Sequence, residues 1–220
     1  MIFDMDGVII DSEHVHHELE RMMFGMLGIE VSTAEHQSFT GQTVWTMWGA
    51  LKEKHNLPHS VEELRAMKKQ MFYDELDSPT CRVEVIEGVR ELIEKAKDSG
   101  LKLAVASSSS SFHVENMMER FELTKHFSAL CGGDLVENSK PAPDLFLYTA
   151  NKLNVSPEEC IVIEDSGNGV RAGKAAGMTV VGYQNPNSGE QDLSLADFVV
   201  ENYKDFPYIE GMQEQSRKSS

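Results

Sequence analysis

The stretch Met1-Ile2-Phe3-Asp4-Met5-Asp6-Gly7-Val8-Ile9-Ile10-Asp11-Ser12 sets two carboxylates directly behind a short apolar run. Side chains alternate in extended backbone, so Asp4 and Asp6 face one side at a strand end. Gly7 then permits a sharp turn. Two carboxylates held together do not both ionise cheaply unless a cation or a proton sits between them. The pair therefore implies a metal site, or an acid and nucleophile pair. An acidic turn after an edge strand would account for two aspartates alone, so the weight falls on the polar residues that close the other apolar runs.

Three such places stand out. The strand-like run Leu101 to Ala106 ends in Ser107, the first of five consecutive serines. Serine runs are usually linkers. Here Phe112, Val114, Met117, Met118 and Phe121 follow at helical spacing, which reads as strand, hydroxyl loop and helix start. A helix N-terminus offers unpaired N–H groups and a positive dipole end, making Ser107, with Ser108 beside it, a candidate phosphate donor. The second place is Ser139-Lys140-Pro141-Ala142-Pro143-Asp144, ahead of a helical pattern through Phe146, Leu147, Ala150 and Leu153. Pro141 pushes Lys140 out of the α region, and a lysine held extended before a helix can aim its charge inward.

The third is Cys160-Ile161-Val162-Ile163-Glu164-Asp165-Ser166-Gly167-Asn168-Gly169, a buried-looking strand that ends in adjacent acids and a glycine turn. Gly167, Gly169 and Ala172 also satisfy the dinucleotide fingerprint Gly-x-Gly-x-x-Ala between a strand and a helix. Two features oppose that reading. Glu164 and Asp165 would set negative charge beside a pyrophosphate, and the next strand, Met178 to Tyr183, ends in Gln184 without an acidic ribose ligand. A cation-binding strand end explains acids and glycines together.

These residues resemble the haloacid dehalogenase superfamily of aspartate-nucleophile phosphotransferases, and within it the β-phosphoglucomutase-like branch. Asp4-Met5-Asp6-Gly7 matches the first motif, Ser107 the second, Lys140 the third and Glu164-Asp165 the acidic fourth, in order, from Met1 to about Tyr183. The resemblance implies a Mg2+-dependent phosphatase of small phosphate esters, sugar phosphates above all, that works through an aspartyl-phosphate. In that scheme Asp4 is the nucleophile and Asp6 the acid and base. Magnesium is held by Asp4, the Asp6 backbone carbonyl and Asp165, with Glu164 behind them. Ser107, Ser108 and Lys140 hold the phosphoryl oxygens. The alternative is a phosphosugar mutase. Its relatives carry an arginine shortly after a substrate-facing loop; here that loop is Thr40-Gly41-Gln42-Thr43, and Val44, Trp45 and Thr46 follow.

Composition fits the same class. A net charge of −16 and a pI near 4.8 oppose binding to nucleic acid or anionic membrane. No signal peptide precedes the motif, and no apolar run approaches spanning length. Three scattered cysteines form neither a disulfide framework nor a zinc pattern. A cytoplasmic monomer acting on a small molecule is expected, although the short first strand leaves room for a natural chain that begins earlier.

Strands at Ile2 to Asp4, Leu101 to Ala106, Ala129 to Gly132, Ile161 to Glu164, Thr179 to Gly182 and Phe198 to Val200 alternate with helices, which reads as a doubly wound parallel α/β sheet. Residues 1–11 and 83–220 are expected to form this core and 12–82 an inserted all-helical cap, with helices near Val15 to Leu27, Thr43 to His55 and Val61 to Leu76. In the cap, Trp45 and Trp48 read as core before sugar platform, and Lys68 and Lys69 as solvated before phosphate-binding. His16 lies where some relatives present a cap-hinge histidine.

Overall fold

The structure, a computed structural model, describes residues 1–39 and 44–206. Its centre is a strand of two residues, β1 (Ile2–Phe3), both fully buried. The chain then passes through β2 (Ile10–Asp11), four helices α1 (Glu13–Met26), α2 (Thr33–Gln37), α3 (Val44–His55) and α4 (Val61–Asp77), and β3 (Glu84–Val85). There follow α5 (Val89–Asp98), β4 (Ala104–Ser107), α6 (Ser111–Arg120), β5 (Ala129–Gly132), α7 (Asp144–Leu153), β6 (Ile161–Glu164), α8 (Gly167–Ala175), β7 (Thr179–Tyr183) and β8 (Phe198–Val200). The main sheet has the order β5-β4-β1-β6-β7-β8, and every pairing is parallel. This is the expected doubly wound α/β core with a helical insertion.

The order matters for function. From β1 the chain builds outward through β4 and β5, then crosses back to begin β6 on the other side of β1. Ile2 lies opposite both Ala104 and Val162, and Phe3 opposite Val105 and Ile163. The reversal therefore opens the carboxyl ends of β1, β4 and β6 toward one place, where such sheets bind ligands. The run from Leu101 enters the sheet at Ala104. It continues one residue further than expected, to Ser107 opposite Gly132.

Helices cover the apolar strands. Phe146 of α7 and Val170 of α8 join Val162 and Val180 in one buried cluster. Gly173 lets α8 approach closely, since a Cβ there would lie 2.7 Å from Val180 Cγ2. The turn after β1 is held from the far end of the chain. Gly7 adopts φ 78°; its carbonyl accepts from Asn185 Nδ2 at 2.9 Å, and the Val8 carbonyl accepts from the buried Tyr203 hydroxyl at 2.6 Å.

Contacts divide the chain into two units. One comprises Met1–Asp11, Val85–Pro186 and Gln191 onward; the other comprises Ser12–Glu84 with Asn187–Glu190. The second unit has its own core of Met23, Phe24, Met47, Trp48, Leu51 and Leu64. Trp48 is fully buried there. Trp45 is instead 46% exposed, with the Arg65 guanidinium 4.5 Å from its ring centroid. Helix α2 escapes a reading by periodicity because it spans five residues; Ser32 caps it, accepting from Glu35 N–H at 3.1 Å. Thr40, Gly41, Gln42 and Thr43 lie outside the described residues. Among those described, no helix is long and apolar enough to cross a membrane.

Lys68 departs from expectation. Instead of standing in solvent it pairs with Glu20, a buried residue of α1 that also meets His36 Nε2 at 2.6 Å. Burying the apolar stem of a lysine costs little, and a carboxylate partner offsets part of the desolvation of its charge. His17, Glu20 and His36 bring ligand atoms within 4.8 Å of one another, but the ammonium of Lys68 already compensates Glu20. The cluster reads as a structural ion pair. Burial pushes the Glu20 carboxyl up, yet His36 and Lys68 outweigh it and hold the pKa at about 2, below the ordinary 4.5. A depressed carboxyl stabilises the fold above its unfolded pKa and loses that contribution as pH falls through the folded value. Stability from Glu20, at most about 3 kcal/mol for such a shift, is thus expected to vanish between pH 4.5 and 2. Urea unfolding of wild type and Glu20→Gln should differ at pH 7 and converge toward pH 2.

Candidate active site

The expected acids and Ser107 sit at a strand end or just past one. Asp4 follows β1, Ser107 ends β4, Glu164 ends β6 and Asp165 follows it. Lys140 precedes α7 and reaches them through its side chain. Its side chain is only 4% exposed, and its ammonium uses its three donors fully, on Asp4 Oδ1 at 2.5 Å, Glu164 Oε1 at 2.6 Å and the Ala106 carbonyl at 2.9 Å. The Phe146 ring centroid lies 4.8 Å from the same nitrogen.

Charge does not balance among these groups. One ammonium faces two carboxylates, with Asp4 11% and Glu164 1% exposed. Burial pushes the Asp4 carboxyl well above its ordinary value; Lys140 opposes this, and the negative charges of Glu164 and Asp6 add to it. Burial would lower Lys140, but Asp4 and Glu164 override it and hold its pKa above the ordinary lysine value. A buried excess of negative charge calls for a proton or a further cation. Asp4, Glu164 and Asp165 present oxygens within 4.8 Å of one another. An all-oxygen carboxylate set of this kind fits a hard divalent cation such as magnesium.

The serine run divides its duties. Ser107 is buried, and its Oγ accepts from Ser109 N–H at 3.1 Å. Ser108 is exposed. Ser109, which the sequence reading passed over, donates from Oγ to Asp6 Oδ2 at 3.2 Å; its spacing of two from Ser107 was the available signal. Ser110 caps α6, accepting from His113 N–H at 3.4 Å, and Ser111 donates its N–H to Asp134 at 2.6 Å. His16 belongs to the helical unit, its ring stacked on Phe72 with centroids 4.4 Å apart.

The glycines after β6 serve the acids. A Cβ at Gly169 would lie 1.8 Å from the Glu164 carboxylate. The small residue makes room for that charge, which disposes of the dinucleotide reading.

Residues 1–183 match the family of haloacid dehalogenase-like hydrolases. The chain is 33% identical over 183 residues to a phosphorylated carbohydrates phosphatase of Thermotoga maritima, covering 81% of each. It is 31% identical over 185 residues to a fructose-1-phosphate phosphatase of Escherichia coli, covering 82% of this chain and 94% of that one. A β-phosphoglucomutase structure from Clostridium difficile superposes with a TM-score of 0.74 at 26% identity, over 99% of this chain and 96% of the other.

Removing the lysine while leaving both carboxylates should expose the imbalance. Lys140→Met is expected to destabilise the protein by about 3 to 5 kcal/mol, the usual cost of breaking one side of a buried ion pair. Urea unfolding at pH 7 measures it.

Proposed function

Because the chain belongs to the haloacid dehalogenase-like hydrolases, we propose that it is a magnesium-dependent phosphatase of small phosphorylated carbohydrates that works through an aspartyl-phosphate on Asp4. The observation that carries this reading is the Lys140 ammonium shared by Asp4 and Glu164 at the topological switch of the sheet. The carbohydrate preference rests on relatives named for phosphorylated carbohydrates and fructose 1-phosphate.

In the first step the Asp4 carboxylate forms a bond to phosphorus as the ester P–O bond breaks, and Asp6 gives the leaving oxygen its proton. In the second, water attacks phosphorus, Asp6 takes the water proton, and the bond to Asp4 breaks. Dividing one hard displacement into two in this way is the advantage of a covalent nucleophile. Ser109 orients Asp6 through its 3.2 Å hydrogen bond. Lys140 and Ser107 offset charge on the transferring oxygens, the main task phosphoryl transfer sets a protein, with Ser108 assigned beside them. Asp4, the Asp6 carbonyl and Asp165, with Glu164 behind, would hold magnesium, which would supply further positive charge at the phosphoryl group. Substrate choice is assigned to the helical unit, where the Thr40 to Thr43 segment and His16 are the candidates.

One observation favours a second reading, a phosphosugar mutase. No arginine follows Thr43 directly, yet Arg65 of α4 places its guanidinium on Trp45, so an arginine does stand beside that position. Mutase chemistry would consume a sugar 1-phosphate without freeing phosphate.

Phosphate release from a panel of hexose, pentose and polyol phosphates tests the proposal. Turnover is expected with Mg2+, to stop in excess EDTA, and to return when Mg2+ is restored. Asp4→Asn should abolish it, and Asp6→Asn should lower kcat by roughly 10^2 to 10^4, the range for a lost acid and base. Turnover by Asp4→Asn would sink the covalent mechanism.

A further inference from the structure

We propose that Ser166 is a positioning residue, which locks the Glu164 carboxylate so that Lys140 stays aimed at Asp4; this rests on the phosphatase reading above. Glu164 makes no bond to Asp4 itself, and acts on it only through the ammonium both share. Its Oε1 accepts from Lys140 at 2.6 Å. Its Oε2 accepts twice from Ser166, from the backbone N–H at 3.0 Å and from the hydroxyl at 2.9 Å. Both oxygens are therefore committed, and the carboxylate plane cannot turn without breaking a bond at one end.

The hydroxyl is itself fixed. Ser166 is the N-cap of α8, and its Oγ accepts from Gly169 N–H at 3.0 Å while its single proton goes to Glu164. A cap that accepts from the helix and donates to a side chain ties the carboxylate to a rigid element. Gly169 completes the arrangement, because any side chain there would displace the Glu164 carboxylate. The chain of bonds thus runs from the start of α8 through Ser166, Glu164 and Lys140 to Asp4. Without the hydroxyl, Glu164 keeps one donor of two on Oε2 and gains freedom to turn toward the acidic cluster. Lys140 then loses its second anchor and the cation set loses its arrangement.

A serine that merely caps α8 would give a different pattern from one that also orients Glu164, and two variants separate them. Threonine keeps both the cap oxygen and the donor; alanine removes both. Ser166→Ala is expected to lower kcat about tenfold with little change in KM, and to weaken Mg2+ binding measured by calorimetry about 10- to 100-fold, as loss of an outer-shell partner does. Ser166→Thr should restore both to near wild type. If Ser166→Ala loses thermal stability but keeps wild-type kcat and Mg2+ affinity at a temperature where it is fully folded, the residue is only a cap and the proposal is overturned. If Ser166→Thr fails as badly as alanine while folded, the hydroxyl is not the active feature, and the proposal falls as well. The phosphatase reading survives either result. A wild type that neither releases phosphate nor binds Mg2+ would instead remove that reading, and this inference with it.

Discussion

One buried ammonium between two buried carboxylates organises this protein's core. Lys140 draws Asp4 from β1 and Glu164 from β6 onto a single nitrogen, with the Ala106 carbonyl of β4 as the third acceptor. Three strand ends are thereby tied at the point where the sheet reverses its order. In water such a pairing would contribute little, because solvent screens it. With Lys140 4% and Glu164 1% exposed, the charges have no comparable alternative to one another. The same arrangement carries more negative than positive charge, and that imbalance makes it a candidate cation site as well as a clasp. A fully neutralised cluster would have no use for a cation.

The elements around the clasp are arranged to hold it still. Short β1 can be central because β4 and β6 pair with it on both sides and its two side chains are fully buried. The turn that follows is restrained by Asn185 and Tyr203, two residues that lie beyond the 183 positions matched by the family. The helical unit solves a separate problem with the same device. There Glu20 is the hub, joining α1 to α2 through His36 and to α4 through Lys68. In both units a buried charge meets a partner of opposite sign on another element, which compensates its desolvation.

Much of this was legible in the chain itself. Asp4 and Asp6 sit on an alternating segment before a glycine; Lys140 stands before a proline; Glu164 and Asp165 end an apolar run. Each signal is local and governed by backbone geometry. The serine run was only partly legible. Its position after a strand marked Ser107, but Ser109 was missed because its contact with Asp6 spans 103 positions. Trp45 and Trp48 share a helix and a spacing, yet one is buried and the other is not. Lys68 looked like a surface lysine, since nothing near it in sequence announces Glu20, 48 residues away. Helix α2 was invisible because five residues are too few to show a period.

The order of apolar and polar residues determined the alternation of strands and helices and the inserted helical segment, and it marked the core acids and Lys140 as candidates whose roles the family resemblance supplied. Those properties follow from side-chain periodicity and from what proline and glycine permit. Only the tertiary structure decided which oxygen meets which nitrogen. The three partners of Lys140 come from positions 4, 106 and 164, and their convergence is set by strand order and register. The commitment of both Glu164 oxygens, and hence the role given to Ser166, belongs to that same level. Hydrogen bonds of this kind depend on distances of a few tenths of an ångström between distant segments, and no local pattern encodes them.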